Sequence, residues 1–331
     1  MSVTMEKDTE SLGDFYALMT MNGGARVFGQ ACSSGLLKAL SLKAATVEEL
    51  ARRCELAERP VDLLLRVLVD LGVVICKGEA YALSPLMHMI SQGYGDLGNA
   101  YWTHLESWMQ TGTPFKTMDR IEESEQHYVH QATALGWMMQ PSAQALAAEI
   151  NRQTQGHIDD VLDMGAGSGV WSLSLSATLP QVKVTLQDWP GVLQLALAQA
   201  QQLGLARRVK MLPGDLLEVT FPEHAFDLIM IANVTHLFSE ELNVQLFRRC
   251  AEALRPGGQL VVVDVMPGDP RGDLSRSLYE LGLALRTAHG RVHAPERLTA
   301  NLREAGLHAS TVYAIPATPY TMGALFAGPL V

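Results

Sequence analysis

Cysteine is scarce in this chain, and the four present, Cys32, Cys54, Cys76 and Cys250, stand far apart with no C-x-x-C pair. That spacing excludes a disulfide framework and a cysteine zinc site, and leaves buried free thiols of a reducing compartment as the expectation. Basic residues are also in deficit, with 25 Lys and Arg against 35 Asp and Glu and a formal net charge of −10. A nucleic-acid binder presents a basic face, so this balance argues against such a partner. No apolar run reaches the roughly 18 residues that a membrane-spanning helix needs. The start, M-S-V-T-M-E-K-D-T-E, lacks the basic and apolar regions of a signal peptide. Charged residues are few, 18% against 48% hydrophobic, which is a globular and not a disordered composition. The expectation is a cytoplasmic protein with neither membrane nor nucleic acid as partner, and at 331 residues two domains are the better prior.

Residues 1–150 read as the first domain. Apolar residues recur at helical spacing from Leu12 to Leu42, interrupted by Asn22-Gly23-Gly24 and Ser33-Ser34-Gly35, which predicts two or three packed helices. Thr46-Val47-Glu48-Glu49 fits a capping box for a short helix ending near Glu55. Pro60 opens a second helix that Gly72 ends, and Val73–Leu83 reads as a hairpin about Lys77-Gly78-Glu79. Helix, turn, helix and hairpin describe a winged helix. Its second helix carries Glu58, Asp62 and Asp70 against Arg59 and Arg66, a poor match to a phosphate backbone, so the unit reads as a dimerisation or packing module. Asp96–Ile150 is helical in character, with Trp102, Trp108, Tyr128 and Trp137 beside Met109, Met138 and Met139. Such side chains either fill a core or wall an apolar ligand pocket. Trp102, Trp108 and Met138 are the candidates for the pocket.

From 151 to 331 strands and helices alternate. Strands are expected at Asp160–Met164, Val182–Gln187, Val209–Leu212, Phe226–Ala232, Gln259–Val265 and Ser310–Ile315, with helices between, which predicts an α/β Rossmann-like domain with a mostly parallel sheet. At the end of the first strand stands V-L-D-M-G-A-G-S-G-V, Val161–Val170. Glycines at 165, 167 and 169 permit a sharp turn and close approach of a ligand to backbone, and the helix behind them offers free N–H groups. Val170 occupies the position where a dinucleotide fingerprint needs its last glycine. Asp163 suits a ligand with positive charge or donor groups. Asp188 ends the second strand, where an acid accepts both hydroxyls of a ribose, and Pro213-Gly214-Asp215 puts a carboxylate where it accepts from a purine amine. Arg255-Pro256-Gly257-Gly258 reads as a tight turn into the fifth strand.

In order and spacing, D-x-G-x-G-x-G at 163–169, Asp188, Gly214-Asp215 and R-P-G-G at 255–258 resemble the class I S-adenosylmethionine-dependent methyltransferases. Together with the helical domain, nearly the whole chain is similar to small-molecule O-methyltransferases of the caffeate and hydroxyindole type and their bacterial secondary-metabolism relatives. The resemblance implies S-adenosyl-L-methionine as cofactor, a homodimer formed through the N-terminal domain, and a small-molecule acceptor. It also implies that Trp189 and Leu216 flank the adenosine, that Asp163, Gly165, Gly167 and Gly169 hold the methionine moiety, and that Asn233 belongs to the cofactor set.

The family's catalytic histidine opens an H-D-W-S-D-E segment, and the matching stretch is His236-Leu237-Phe238-Ser239-Glu240-Glu241, which puts His236 at the general-base position. A phenol and an imidazole differ by ~3.5 pKa units, or ~5 kcal/mol, so proton transfer accompanies methyl transfer and does not precede it. Two departures stand out. Ala232 replaces a lysine of the plant enzymes, and Val292 falls where they carry an acid that orients the histidine. A second family acid, after the fifth strand, corresponds to Asp264, which either orients His236 or is a helix-capping or solvated acid. His289 and His293 fall in the segment expected to cover the acceptor. They are read as acceptor-binding residues, with polar pocket walls, surface residues and partners of His236 in a three-nitrogen metal site as the alternatives. The expected activity is O-methylation of a phenolic or enolic hydroxyl on a small, largely apolar metabolite. The rivals are transfer to carbon, nitrogen or sulfur, and a cofactor-binding regulatory protein.

Overall fold

The computed structural model describes residues 2–85, 87, 99–115, 121–266, 274–316 and 321–329. By its contacts the chain separates into two compact units, Met1–Ala100 and Tyr101–Val331. The division thus falls at 100 and not at 150, because the long helix Ile121–Thr154 packs against the helix that follows the glycine turn.

The first unit holds helices α1 (Ser2–Ser33), α2 (Leu36–Leu42), α3 (Val47–Cys54) and α4 (Glu58–Asp70), then the antiparallel hairpin β1 (Val74–Lys77) and β2 (Ala80–Leu83). The break expected at Asn22-Gly23-Gly24 does not occur; α1 runs through it, and Gly24 lies where a Cβ would sit 3.3 Å from a methyl of Leu71. The capping box of α3 is complete, with Thr46 Oγ1 accepting from the Glu49 N–H and Glu49 Oε2 accepting from the Thr46 N–H. Phe28, Leu36, Leu50, Leu65, Leu68 and Val74 form the core. On α1, Leu12, Phe15, Tyr16 and Met19, at helical spacing, are each more than half exposed. None of the four cysteines forms a disulfide, but only Cys250 is buried, and Cys76 is exposed.

Helix α5 (Asn99–Thr103) begins at the division, and in the second unit α6 (Leu105–Thr111) and α7 (Ile121–Thr154) lead into a sheet of eight strands. These are β3 (Asp160–Met164), β4 (Lys183–Asp188), β5 (Val209–Pro213), β6 (Phe226–Ala232), β7 (Leu254–Val265), β8 (Leu307–Ala309), β9 (Tyr313–Ala314) and β10 (Met322–Pro329). The order is β5-β4-β3-β6-β7-β10-β8, with β9 beside β10. Strands β3 to β7 pair in parallel, and β10 runs antiparallel to its neighbours. Helices α8 (Val170–Thr178), α9 (Pro190–Gln202), α10 (Glu240–Ala253), α11 (Leu274–Ala284) and α12 (Pro295–Glu304) complete the unit. Its apolar side chains form two main clusters, one around Leu146, Leu175 and Val263, the other around Met164, Phe247 and Leu325.

Two expectations about strands need correction. The single strand expected at Ser310–Ile315 is replaced by two short ones, and β10 takes the place beside β7. Residues 255–258 form no separate turn: they lie inside β7, beside a register shift at Phe226/Leu228, and Gly257 has φ +80°. Arg255 there holds Asp160 and Asp227, each at 2.8 Å, which ties the starts of β3 and β6 to β7. No described helix is long and apolar enough to cross a membrane.

Candidate active site

The site forms where the parallel strands end, as expected for a sheet of this kind. Strand β3 delivers Asp163 fully buried, and the chain then turns through Gly165 (φ +67°), Gly167 (φ +57°) and Gly169 (φ +74°) into α8. At Gly165 a Cβ would lie 2.6 Å from Val234 Cγ2, whereas at Gly167 it would meet nothing within 4 Å. Gly165 is therefore demanded by packing, and Gly167 keeps open space.

Asp163 accepts a hydrogen bond from Ser172 Oγ at 2.5 Å. Burial pushes its carboxyl up to about 7, with Asp188 adding to the effect and the Ser172 bond opposing it. Asp188 accepts from the Gly167 N–H at 2.8 Å and the Trp189 N–H at 2.7 Å. Its carboxyl is nevertheless pushed up to about 6, first by burial and also by the charge of Glu125. Gln187 joins two parts of the site: its Oε1 accepts from the Gly165 N–H and its Nε2 donates to the Gly214 carbonyl. Asp215 closes its own turn by accepting from the Leu217 N–H.

These elements surround a cavity of about 310 Å³. Gly165, Gly167, Asp188, Trp189, Gly214, Asp215, Leu216 and Asn233 line it, as does His289, while Asp163 and Gly169 stand behind its wall. The opposite wall is apolar, from Tyr128, Ala132, Leu135 and Met139 of α7. Asn233 has φ +59°, and its buried Oδ1 has no hydrogen-bond partner among the described residues. An orphaned acceptor, two buried carboxyls that resist ionisation and a bare glycine surface fit a ligand bringing donor groups and positive charge, as a sulfonium nucleoside with an amino-acid tail does.

Beyond β6 the chain makes a single turn, Thr235–Leu237, that buries His236. Its Nδ1 lies 2.7 Å from Asp264 Oδ1, at the end of β7. Asp264 also accepts from Thr235 Oγ1 and from the N–H groups of His236 and Val265. Burial alone would raise this carboxyl; the charge of His236 and these hydrogen bonds outweigh it and hold Asp264 below the ordinary carboxylate range. Of the two ring nitrogens, Nδ1 is the one that meets the carboxylate. The Tyr279 hydroxyl of α11 stands 3.4 Å from both ring nitrogens.

The remaining sequence candidates are dispersed. Trp102 is exposed, Trp108 and Met138 are half-buried, and none of the three lines the cavity; Met139, one residue on, does. His293 is buried with Nε2 on the Phe238 carbonyl at 3.0 Å and beside Asn243 Nδ2 at 3.3 Å, committed to holding the turn that carries His236. No group of three metal-ligating side chains occurs among the described residues.

Gln187, Ser172 and Tyr279 escaped the sequence reading, and Tyr128, named among the aromatics able to wall a pocket, was passed over for Trp102 and Trp108. Ser172 alone left a trace, as one of three serines alternating with large apolar residues in V-W-S-L-S-L-S, where nothing apolar is gained by a hydroxyl.

The glycine turn, the strand-end acid Asp188 and the buried His236–Asp264 pair all stand beyond the carboxyl ends of the parallel strands, an arrangement that suits a methyltransferase. Residues 102–308 match the family model described as O-methyltransferase domain, and the chain belongs to that family. It is 22% identical over 296 residues to 3-hydroxy-5-methyl-1-naphthoate 3-O-methyltransferase of Streptomyces sahachiroi, covering 83% of this chain and 84% of the relative. It is 26% identical over 331 residues to acetylserotonin O-methyltransferase of Mus musculus, covering 88% and 84%. The human N-acetylserotonin methyltransferase, solved in complex with SAM, superposes with a TM-score of 0.72 over 98% of each chain at 21% identity. The protein is accordingly an S-adenosylmethionine-dependent O-methyltransferase.

Proposed function

We propose that the acceptor is a phenolic or enolic hydroxyl on a small, largely apolar metabolite, with His236 as general base and Asp264 as the acid that orients it. The observation that carries this reading is the 2.7 Å contact between His236 Nδ1 and Asp264 Oδ1, which leaves Nε2 able to take a proton. The two relatives quoted above are named as O-methyltransferases, of a hydroxynaphthoate and of acetylserotonin, in keeping with this acceptor class.

Bound in the cavity, the cofactor supplies an electrophilic methyl group. Asp163, Asn233 and the glycine turn then serve its amino-acid end, Asp188 its ribose, and Trp189, Asp215 and Leu216 its base. With the methyl group supplied by the cofactor, His236 Nε2 would take the hydroxyl proton that the acceptor loses on being methylated. The Asp264 carboxylate stabilises the imidazolium that results. Holding oxygen and methyl in line supplies much of the remaining acceleration.

Incubation with S-adenosylmethionine carrying a ¹³C methyl, against a panel of phenols, enols, anilines and thiols, tests the acceptor class. An O-methyl carbon signal is expected from phenols or enols; methyl appearing on nitrogen, sulfur or carbon alone overturns it. The same reading makes the protein a cytoplasmic homodimer joined through its first unit. The exposed stripe Leu12, Phe15, Tyr16 and Met19 supports such an interface. A dimer by light scattering that Phe15→Glu reduces to monomer is the expected result, and a native monomer rules the dimer out.

A further inference from the structure

We propose that the start of α7 is a latched cover over the cofactor cavity and that Glu125 is its latch, a positioning residue that sets how fast the cofactor enters and leaves. The proposal rests on the cofactor reading of that cavity. Helix α9 begins at Pro190 with no side-chain cap and no acid in its own first turn. The cap comes from 66 residues away: Glu125 Oε1 accepts from the Gly191 N–H at 2.5 Å. A carboxylate at a helix N-terminus satisfies a free donor and meets the positive end of the helix dipole. The approach requires glycine, since a Cβ at 191 would lie 2.7 Å from that Glu125 oxygen.

One turn further along α7, Tyr128 packs edge-on against Trp189 with ring centroids 5.5 Å apart. Tyr128, Ala132, Leu135 and Met139 then follow at helical spacing, all facing the cavity. Glu125 does not line the cavity, so it acts on the cofactor only by holding this wall in place. The far half of α7 is fixed differently: Ala143, Leu146, Ala147 and Ile150 are buried in the core. Between the halves stands Pro141, which has no N–H to return to the preceding turn and so weakens the helix there. The half beyond Pro141 is anchored in the core, Met139 and the Gln140–Ser174 hydrogen bond hold the helix just before it, and at the start of the helix the Glu125–Gly191 and Tyr128–Trp189 contacts hold the first turns over the cavity.

Stopped-flow tryptophan fluorescence with S-adenosylhomocysteine tests this, using the full chain and the Glu125→Ala and Glu125→Gln variants, with melting temperatures as a check on folding. In Glu125→Ala both association and dissociation should be about five- to tenfold faster, the effect of losing one helix cap, with little change in Kd. Glu125→Gln keeps an acceptor oxygen for Gly191 and should stay close to native rates. Damage to the site itself would instead slow association and weaken Kd. Native rates or slower association in Glu125→Ala, or Glu125→Gln as fast as Glu125→Ala, overturns the proposal.

Discussion

His236 and Asp264 come from the ends of two neighbouring parallel strands, β6 and β7, and meet through a 2.7 Å hydrogen bond between buried groups. Four donors converge on the one carboxylate, three of them from the turn that carries His236: the Thr235 hydroxyl, the His236 N–H and its ring. Asp264 therefore fixes the backbone of that turn as well as the ring. Asp264→Asn keeps the shape but removes the charge that selects the Nδ1–H tautomer. Its kcat should fall by about 10²-fold or more with KM little changed. A native kcat in steady-state assays would remove Asp264 from the acid–base pair.

Cofactor affinity should depend on pH through Asp163 and Asp188, whose carboxyls sit at about 7 and about 6 before the ligand arrives. A ligand that brings positive charge and hydroxyl donors favours both carboxylates, so its binding releases protons. The affinity should rise from pH 5.5 to 8, by up to about tenfold per unit for each carboxyl still protonated. Calorimetry with S-adenosylmethionine in buffers of different ionisation enthalpy reads the protons released; no release at pH 6 contradicts the assignment.

Stability moves in the opposite sense. An unfolded aspartate titrates near ~3.9, so between about pH 4 and 7 the folded chain holds more protons than the unfolded one. The contribution of these two groups is full at the low end and is lost as pH rises through that window. Melting of the free protein should show this fall and S-adenosylhomocysteine should offset it; a ligand-induced gain in melting temperature that is no larger at pH 7.5 than at pH 5.5 would count against the linkage.

Two glycines of one turn should fail in different ways. Gly165→Ala forces a Cβ into Val234 at a positive φ and should cost about 3 kcal/mol of stability. Gly167→Ala meets no protein atom and should cost about 1 kcal/mol, but its methyl enters the cavity and should lower cofactor affinity about tenfold or more. Paired melting and binding measurements separate the two; equal melting losses would show that the cavity does not begin at Gly167.

The parts of the fold that were legible in the sequence are those whose pattern is local. Strand β3 and strand β6 fall on their expected bounds because Val, Leu and Ile runs are closed by Asp, Gly or Asn. The capping box of α3 is a four-residue signal and survives intact. Strand β10 was not legible, since Gly323, Ala324, Ala327 and Gly328 give no strand pattern and only pairing with β7 makes them one. The glycine pair at 23–24 reads as a break, yet a helix tolerates it when a close neighbour such as Leu71 uses the space. In the site, the glycine turn, Asp188 and the cavity-lining Asn233 and Leu216 were marked by motif. Gln187 and Tyr279 were not, because their part comes from a fold that brings β4 to β5 and α11 to the turn after β6. His293 looked like a pocket residue for the same reason: nothing local reveals that Phe238 and Asn243 enclose it.

The most direct measurement is the rate of methyl transfer by His236→Ala, on an acceptor the native protein methylates, beside its affinity for S-adenosylhomocysteine. The expected result is a kcat lower by about 10²–10⁴-fold across pH 6–9, with cofactor affinity unchanged because His236 does not line the cofactor cavity. A rate within a few-fold of native, with affinity intact, would contradict His236 as the base.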